Sequence, residues 1–302
     1  MRTLARHGDY EITLHESGAQ PSDKLVVTFG GQPSDLAQSG FGTSFALSLG
    51  YDTIHVAQRF GTQYQGLPLE AFHAAVHPVS RGYADVITYG SSLGGYAALY
   101  YGGCIEARCL AAAPMLPAWK PLQLPAYRDV AVTHRALGEC PASGRTPTVL
   151  YDPHVSADLY LVETMVRPVY PDLREIRLPF AGHKVLVALS QARLLRPVIE
   201  TLIREDRVID FDPPAEGTAI FHGEKGGHLM KSDPAAAKAE LLMSLGLRPS
   251  KRIYNHLIQC MIKLGDLDSA QAMIDHAKAS GDKNRALFPA RAKSAAEAGL
   301  RV

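Results

Sequence analysis

An excess of charge of either sign is missing from this chain. Its 302 residues carry 31 Lys and Arg against 30 Asp and Glu, a formal net charge of +1. No bulk field therefore recommends nucleic acid or an anionic membrane surface as partner. Cysteine is scarce as well. Cys104, Cys109, Cys140 and Cys260 are too few for a disulfide scaffold, and their spacings do not make a zinc site. Reduced thiols and a cytoplasmic location are the simplest expectation. No apolar run approaches the roughly 18 residues of a membrane span. The opening residues 1–8 (MRTLARHG) include basic side chains without an apolar stretch behind them, so no signal peptide is expected. Neither a phosphate loop nor a Gly-x-Gly-x-x-Gly fingerprint follows a strand-like segment, which leaves nucleotide binding unsupported.

What remains is a globular composition, 46% hydrophobic and 20% charged, on a chain long enough for one large α/β domain and a smaller appendage. The first two hundred residues alternate strand-like and helix-like segments. Residues 9–15 (DYEITLH) alternate and predict an edge strand. Residues 24–29 (KLVVTF), 51–58, 84–89 (ADVITY), 109–113, 148–151 (TVLY) and 175–180 predict further strands, several of them apolar throughout, as in a buried parallel sheet. Helical patterns fall at 43–49, 69–79, 93–101, 156–166 and after His183, where Pro197 is expected to kink or end the helix. Strands alternating with helices imply right-handed crossovers and a mainly parallel sheet. Residues 115–147 interrupt the alternation with a proline-dense insertion, expected to form a cap or lid.

Residues 206–232 predict a linker, with loop composition over 210–226, and 233–302 predict successive helices. Ile253, Leu257 and Met261 make one apolar stripe. Ala270, Met273, Ile274 and Ala277 make another, beyond Gly265 and the possible caps Asp266 and Asp268. The two predict an αα-hairpin. Residues 252–281 resemble a single unit of the tetratricopeptide and pentatricopeptide helical repeats. Such a unit cannot bury its own face and must dock on neighbouring helices or on the catalytic domain, as a plain helical cap or as a surface for a protein partner.

The strongest chemical signal is Tyr89-Gly90-Ser91-Ser92-Leu93-Gly94-Gly95, a Gly-x-Ser-x-Gly pentapeptide centred on Ser92 between a strand and a helix. A nucleophile on a sharp strand-to-helix bend needs small residues two before and two after it. The helix start then favours developing negative charge. Ser91 has the wrong register.

With this motif the chain resembles the α/β-hydrolase superfamily over about residues 9–205, within an expected domain of residues 1–205. The resemblance implies a triad in the order Ser, acid, His. His183, in Leu178-Pro-Phe-Ala-Gly-His-Lys, is the expected base. For the acid, Asp152 in Asp152-Pro-His-Val is favoured over its rival Asp158. The ordinary alternatives are a turn-starting role for Asp152 and a helix cap for Asp158. An oxyanion hole would take backbone N–H groups from Leu93 and from Gly31, which follows Phe29-Gly30 where many family members carry His-Gly.

Three weaker expectations complete the reading. Phe41, Tyr64, Met115, Trp119 and Tyr127 could line an acyl pocket, though several of them are expected to be ordinary core or surface side chains. His222, Glu224 and His228 invite a metal site that no spacing fixes. Lys184, Arg193, Arg196, Arg204 and Arg207 read as a solvated helix face. The expected protein is a serine hydrolase of carboxylic esters or thioesters acting on a small-molecule or acyl-group substrate. No cofactor, metal or nucleic acid is expected. The alternatives are an acyltransferase using the same triad, or a non-catalytic accessory factor on the same scaffold.

Overall fold

The computed structural model describes residues 1–18, 22–211 and 217–302. Residues 212–216, part of the predicted linker, lie outside the described residues. The chain packs as two compact units. The first comprises Met1–Leu178, His183–Leu186 and Leu195–Asp210; the second comprises Pro179–Gly182, Val187–Leu194 and Phe211–Val302.

The first unit is built on an eight-stranded sheet: β1 (Arg2–Arg6), β2 (Tyr10–His15), β3 (Lys24–Phe29), β4 (Asp52–Gln58), β5 (Asp85–Ser91), β6 (Arg108–Ala112), β7 (Thr148–Tyr151) and β8 (Arg174–Arg177). Their order is β1-β2-β4-β3-β5-β6-β7-β8. β1 and β2 run antiparallel, β2 pairs antiparallel with β4, and every other pairing is parallel. The helices of this unit are α1 (Thr43–Ser48), α2 (Leu69–Ser80), α3 (Leu93–Gly102), α4 (Ser156–Leu161), the first two residues of α5 (Val185–Gln191), and all of α6 (Leu195–Glu205). The expected fold class, a mainly parallel α/β sheet flanked by helices, is the observed one.

Three expectations need correction. Residues 9–15 were expected at the sheet edge, but β2 sits between β1 and β4. The true edge strand, β1, carries Arg2 and Arg6, whose charges hide its alternation; Arg6 pairs with Glu11 at 2.6 Å. Pro197 does not break the helix after His183. The break lies at Arg193, in left-handed backbone (φ 60°), and Pro197 sits in the first turn of α6, where no intrahelical donor is lost. Finally, the loop composition of 210–226 gives way to helix α7 (Ala219–Leu229). Its Gly226 is a packing notch, since a Cβ there would stand 2.7 Å from the Leu241 side chain.

The core that holds the site is aromatic at its centre. Phe29 at the end of β3 stacks on Tyr101 of α3 at 5.7 Å between ring centroids, and Phe72 of α2 lies 4.7 Å from Tyr101. Tyr64 donates its hydroxyl to the carbonyls of Gly30 (3.0 Å) and Val56 (3.2 Å). At the opposite strand ends, Arg108 is buried and donates to Asp85 (2.9 Å), Leu202 O (2.6 Å) and Ile203 O (3.0 Å). Burial raises the Asp85 pKa, but hydrogen bonds from Arg108 and Lys24 outweigh it and hold the carboxyl down at about 2.

The insertion at 115–147 forms short 3-10 turns and no sheet. His134 ties it to the core. Its ring stacks on Tyr100 at 4.0 Å between centroids, and the hydroxyls of Tyr96 and Tyr101 lie 2.9 and 3.1 Å from its two nitrogens. The backbone N–H of His134 also donates to Gln65 Oε1 at 2.9 Å.

In the second unit, α7 is followed by α8 (Pro234–Leu247), α9 (Lys251–Lys263), α10 (Leu267–Ser280) and α11 (Pro289–Glu297). Thr218, Asp233, Ser250 and Asp266 cap α7 to α10 through side-chain oxygens. Of the two possible caps for α10, Asp266 is the one used. The stripes of α9 and α10 meet in one core with Leu241 and Ala295. Asn255 closes that core, donating to Ala286 O (3.0 Å) and accepting from Phe288 N (2.8 Å). Among the described residues no helix is long and apolar enough to cross a membrane.

Candidate active site

β5 ends at Ser91 and α3 begins at Leu93, so the bend between them falls on Ser92, at φ 56° and ψ −123°. Left-handed backbone at a residue with a Cβ costs on the order of 1–3 kcal/mol and persists only where its surroundings enforce it. Here three hydrogen bonds do so. Ser92 N donates to Ala112 O (2.8 Å), and Ser92 O accepts from Tyr96 N (3.1 Å) and Met115 N (3.0 Å). The flanking glycines are equally determined. A Cβ at Gly90 would strike the Gly94 carbonyl, and one at Gly94 would strike the Phe29 carbonyl. Both ends of the pentapeptide are therefore glycine because backbone passes through the space a side chain would fill.

His183 faces this bend. Its Nε2 lies 2.9 Å from Ser92 Oγ, across 91 positions of sequence. Its Nδ1 lies 2.7 Å from Asp158 Oδ1. With Asp158 ionised, Nδ1–H donates to the carboxylate and leaves Nε2 free to accept from the Ser92 hydroxyl. The side chain of Asp158 is wholly buried, whereas that of His183 is 33% exposed. Burial pushes the Asp158 carboxyl above its ordinary range, opposed by its hydrogen bond with His183 and assisted by the charge of Asp152. Its other oxygen, Oδ2, is buried without a hydrogen-bond partner among the described residues.

The favoured acid, Asp152, is not the residue that meets Nδ1; its rival Asp158 is. Asp152 follows β7 directly and starts a turn. Its Oδ1 accepts from His154 N at 2.9 Å and lies 3.2 Å from His154 Nδ1, while Val155 N donates to its backbone carbonyl at 3.1 Å. An Asp-Pro turn uses the first carboxylate locally. Asp158, in the first turn of α4, is then delivered to His183 instead. It makes no side-chain cap bond to that helix, so the capping alternative is not realised.

Gly31 lies against the bend: a Cβ there would be 2.9 Å from Ser91 O and 3.7 Å from Ser92 Cβ. Leu93 is the first residue of α3, and the leading N–H groups of a helix have no intrahelical acceptor.

The other candidates separate. Met115 touches the Ser92 backbone, while Trp119 and Tyr127 line a cavity in the insertion. Tyr64 is spent in the core, and Phe41 packs on Tyr89 at 4.9 Å. His222 pairs with Glu240 at 2.6 Å, and Glu224 pairs with Arg252. Among the described residues no group of three His, Cys, Asp or Glu side chains could hold a metal ion, which removes the site suggested at His222, Glu224 and His228. The basic residues after His183 are not all a plain solvated face. Arg196 lies over the Phe45 ring at 5.9 Å, and Arg204 lies over Tyr51 at 5.6 Å. Sequence reasoning missed Gln63, which is buried in left-handed backbone (φ 52°) and accepts from Ala118 N at 2.8 Å, fixing the start of the insertion. No motif marks it.

No family model and no curated protein matches the chain. Among solved structures, Est1E from Butyrivibrio proteoclasticus with ferulic acid bound aligns at a TM-score of 0.46 and 12% identity, covering 67% of this chain and 99% of that one. The structure reported for carboxylesterases of Nitrososphaera gargenis aligns at 0.43 and 11%, covering 68% and 100%. An alpha-beta serine hydrolase homologue from Coxiella burnetii aligns at 0.41 and 14%, covering 65% and 95%. At these identities nothing about substrate or mechanism passes from them to this chain.

Proposed function

We propose that this chain is a serine hydrolase that cleaves a carboxylic ester or thioester through an acyl-enzyme on Ser92. The observation that carries the reading is the unbroken relay from Ser92 Oγ through the imidazole of His183 to Asp158, at 2.9 and 2.7 Å. Oγ attacks the carbonyl carbon while its proton passes to Nε2. The oxyanion that forms is received by the backbone N–H groups of Leu93 and Gly31. One such donor is worth about 2.7–4 kcal/mol in the transition state. Collapse expels the alcohol or thiol, which takes the proton from Nε2. Water then attacks the acyl-enzyme, gives its proton to Nε2, and the acid leaves as Ser92 recovers that proton. Asp158 orients the ring throughout and offsets the charge of the imidazolium.

A fluorophosphonate probe tests the reading directly. The folded wild-type protein is expected to label, and Ser92→Ala is expected not to. A folded wild-type protein that stays unlabelled would remove the nucleophile from the proposal.

A further inference from the structure

The insertion between β6 and β7 forms a cavity of about 440 Å³, open to solvent on one side and lined by residues from 117 to 130. That size falls within the range of about 300–1,000 Å³ typical of small-molecule sites. The chain that forms its wall is tied to the Ser92 bend at one end and to α4 through Trp119. Met115, two residues before the wall begins, donates its N–H to Ser92 O at 3.0 Å. Trp119 in the wall packs against the half-exposed Tyr160 of α4 at 5.9 Å between ring centroids.

The chemistry of the lining is one-sided. Trp119, Leu124 and Tyr127 give it an apolar, partly aromatic wall, Lys120 and Arg128 give it two cations, and the nearby carboxylate of Asp129 points into solvent at 96% exposure. Lys120 has no ion pair among the described residues. Arg128 meets only Asp129, at 4.0 Å, with the two side chains 78% and 96% exposed. Such a pair holds its members weakly. An apolar wall with one cation outside any ion pair and a second held only weakly complements an apolar body that bears a negative charge.

We infer that this cavity selects the substrate, and that the substrate is an anionic ester or thioester: an apolar or aryl group carrying a carboxylate, sulfate or phosphate. The inference rests on the serine-hydrolase reading for its role in turnover, while ligand binding can be measured without turnover.

Trp119 is the single tryptophan of the chain, so tryptophan emission reports on this wall alone. The test titrates the Ser92→Ala protein with 4-phenylbutyrate and with its neutral isostere 4-phenylbutyramide at low ionic strength. Both are expected to change Trp119 emission saturably, with the anion bound about tenfold tighter. That preference is expected to collapse in about 0.5 M salt, where exposed charges are screened. In the Lys120→Met/Arg128→Met variant the preference is expected to vanish while the amide still binds, which also reports that the wall has folded. Equal affinities for the two ligands in the parent protein, or no saturable change with either, overturn the inference. Fluorophosphonate labelling of the wild type separates the two readings. A labelled enzyme with no anion preference overturns the cavity assignment alone. An anion preference in an unlabelled protein upholds the anion-binding cavity and overturns the hydrolase.

Discussion

Oδ1 of Asp158 lies 2.7 Å from Nδ1 of His183, and that carboxylate is the most thoroughly buried member of the relay. The two aspartates after β7 therefore have different work. Asp158→Asn is expected to lower kcat by roughly 10³–10⁴-fold through the wrong imidazole tautomer, and Asp152→Asn to cost far less. Matched kinetics giving the opposite ranking would return the acid role to Asp152.

The same carboxylate carries a stability cost. Burial raises its folded pKa, so the fold favours the protonated form. That contribution is present below the unfolded value and is lost as pH rises through the raised one. At neutral pH the ionised group is a burden. Asp158→Asn is therefore expected to keep or raise the urea midpoint at pH 7 while destroying activity. A clear drop in the midpoint would contradict this account.

His183→Ala should abolish turnover by orders of magnitude and leave the circular dichroism spectrum near wild type, while the urea midpoint at pH 7 falls because the buried Asp158 carboxylate loses its hydrogen-bond partner. Its side chain is one-third exposed, and little packing is lost with it. Esterase activity equal to wild type would take His183 out of the mechanism.

Gly94→Ala places a methyl group into the Phe29 carbonyl. The expected cost is about 1–3 kcal/mol, with loss of probe labelling because β3 and the bend can no longer approach. Wild-type stability together with full labelling would show that the close approach is dispensable.

Acid should weaken the first unit before its carboxylates titrate. Burial depresses both His55 and His134 to about 4 from an ordinary 6.5. Nearby His15 adds to the effect at His55. Each stays neutral in the fold and takes a proton on unfolding. The stability they contribute is whole above about 6.5 and drains away as pH falls towards 4. His134→Gln should flatten the dependence of the urea midpoint on pH across that window. An unchanged slope would show that the imidazole is not held neutral between the tyrosines.

Much of this was legible in one dimension. Apolar runs such as 24–29 and 84–89 announce buried parallel strands because a strand covered on two faces has no polar side to show. Gly90, Ser92 and Gly94 were legible for a local reason: the bend sits within five consecutive residues, and its steric demands are written at fixed offsets. β1 escaped because an edge strand can carry Arg2 and Arg6 toward water without penalty. Helix α7 escaped because two of its glycines, read as loop, are packing notches, Gly226 against Leu241 of α8 and Gly223 against Ile253 of α9.

The sequence alone settled which residue types were available and in what order: a serine on a glycine-flanked bend, two acids after the strand at 148–151, and a histidine after the last strand. Only the tertiary structure decided which acid meets the imidazole. Asp152 and Asp158 differ by six positions of chain, and local propensity suits either one. The choice depends on where β7 stops and how the turn at Asp152 aims α4, and those are distances in space that no spacing in sequence records.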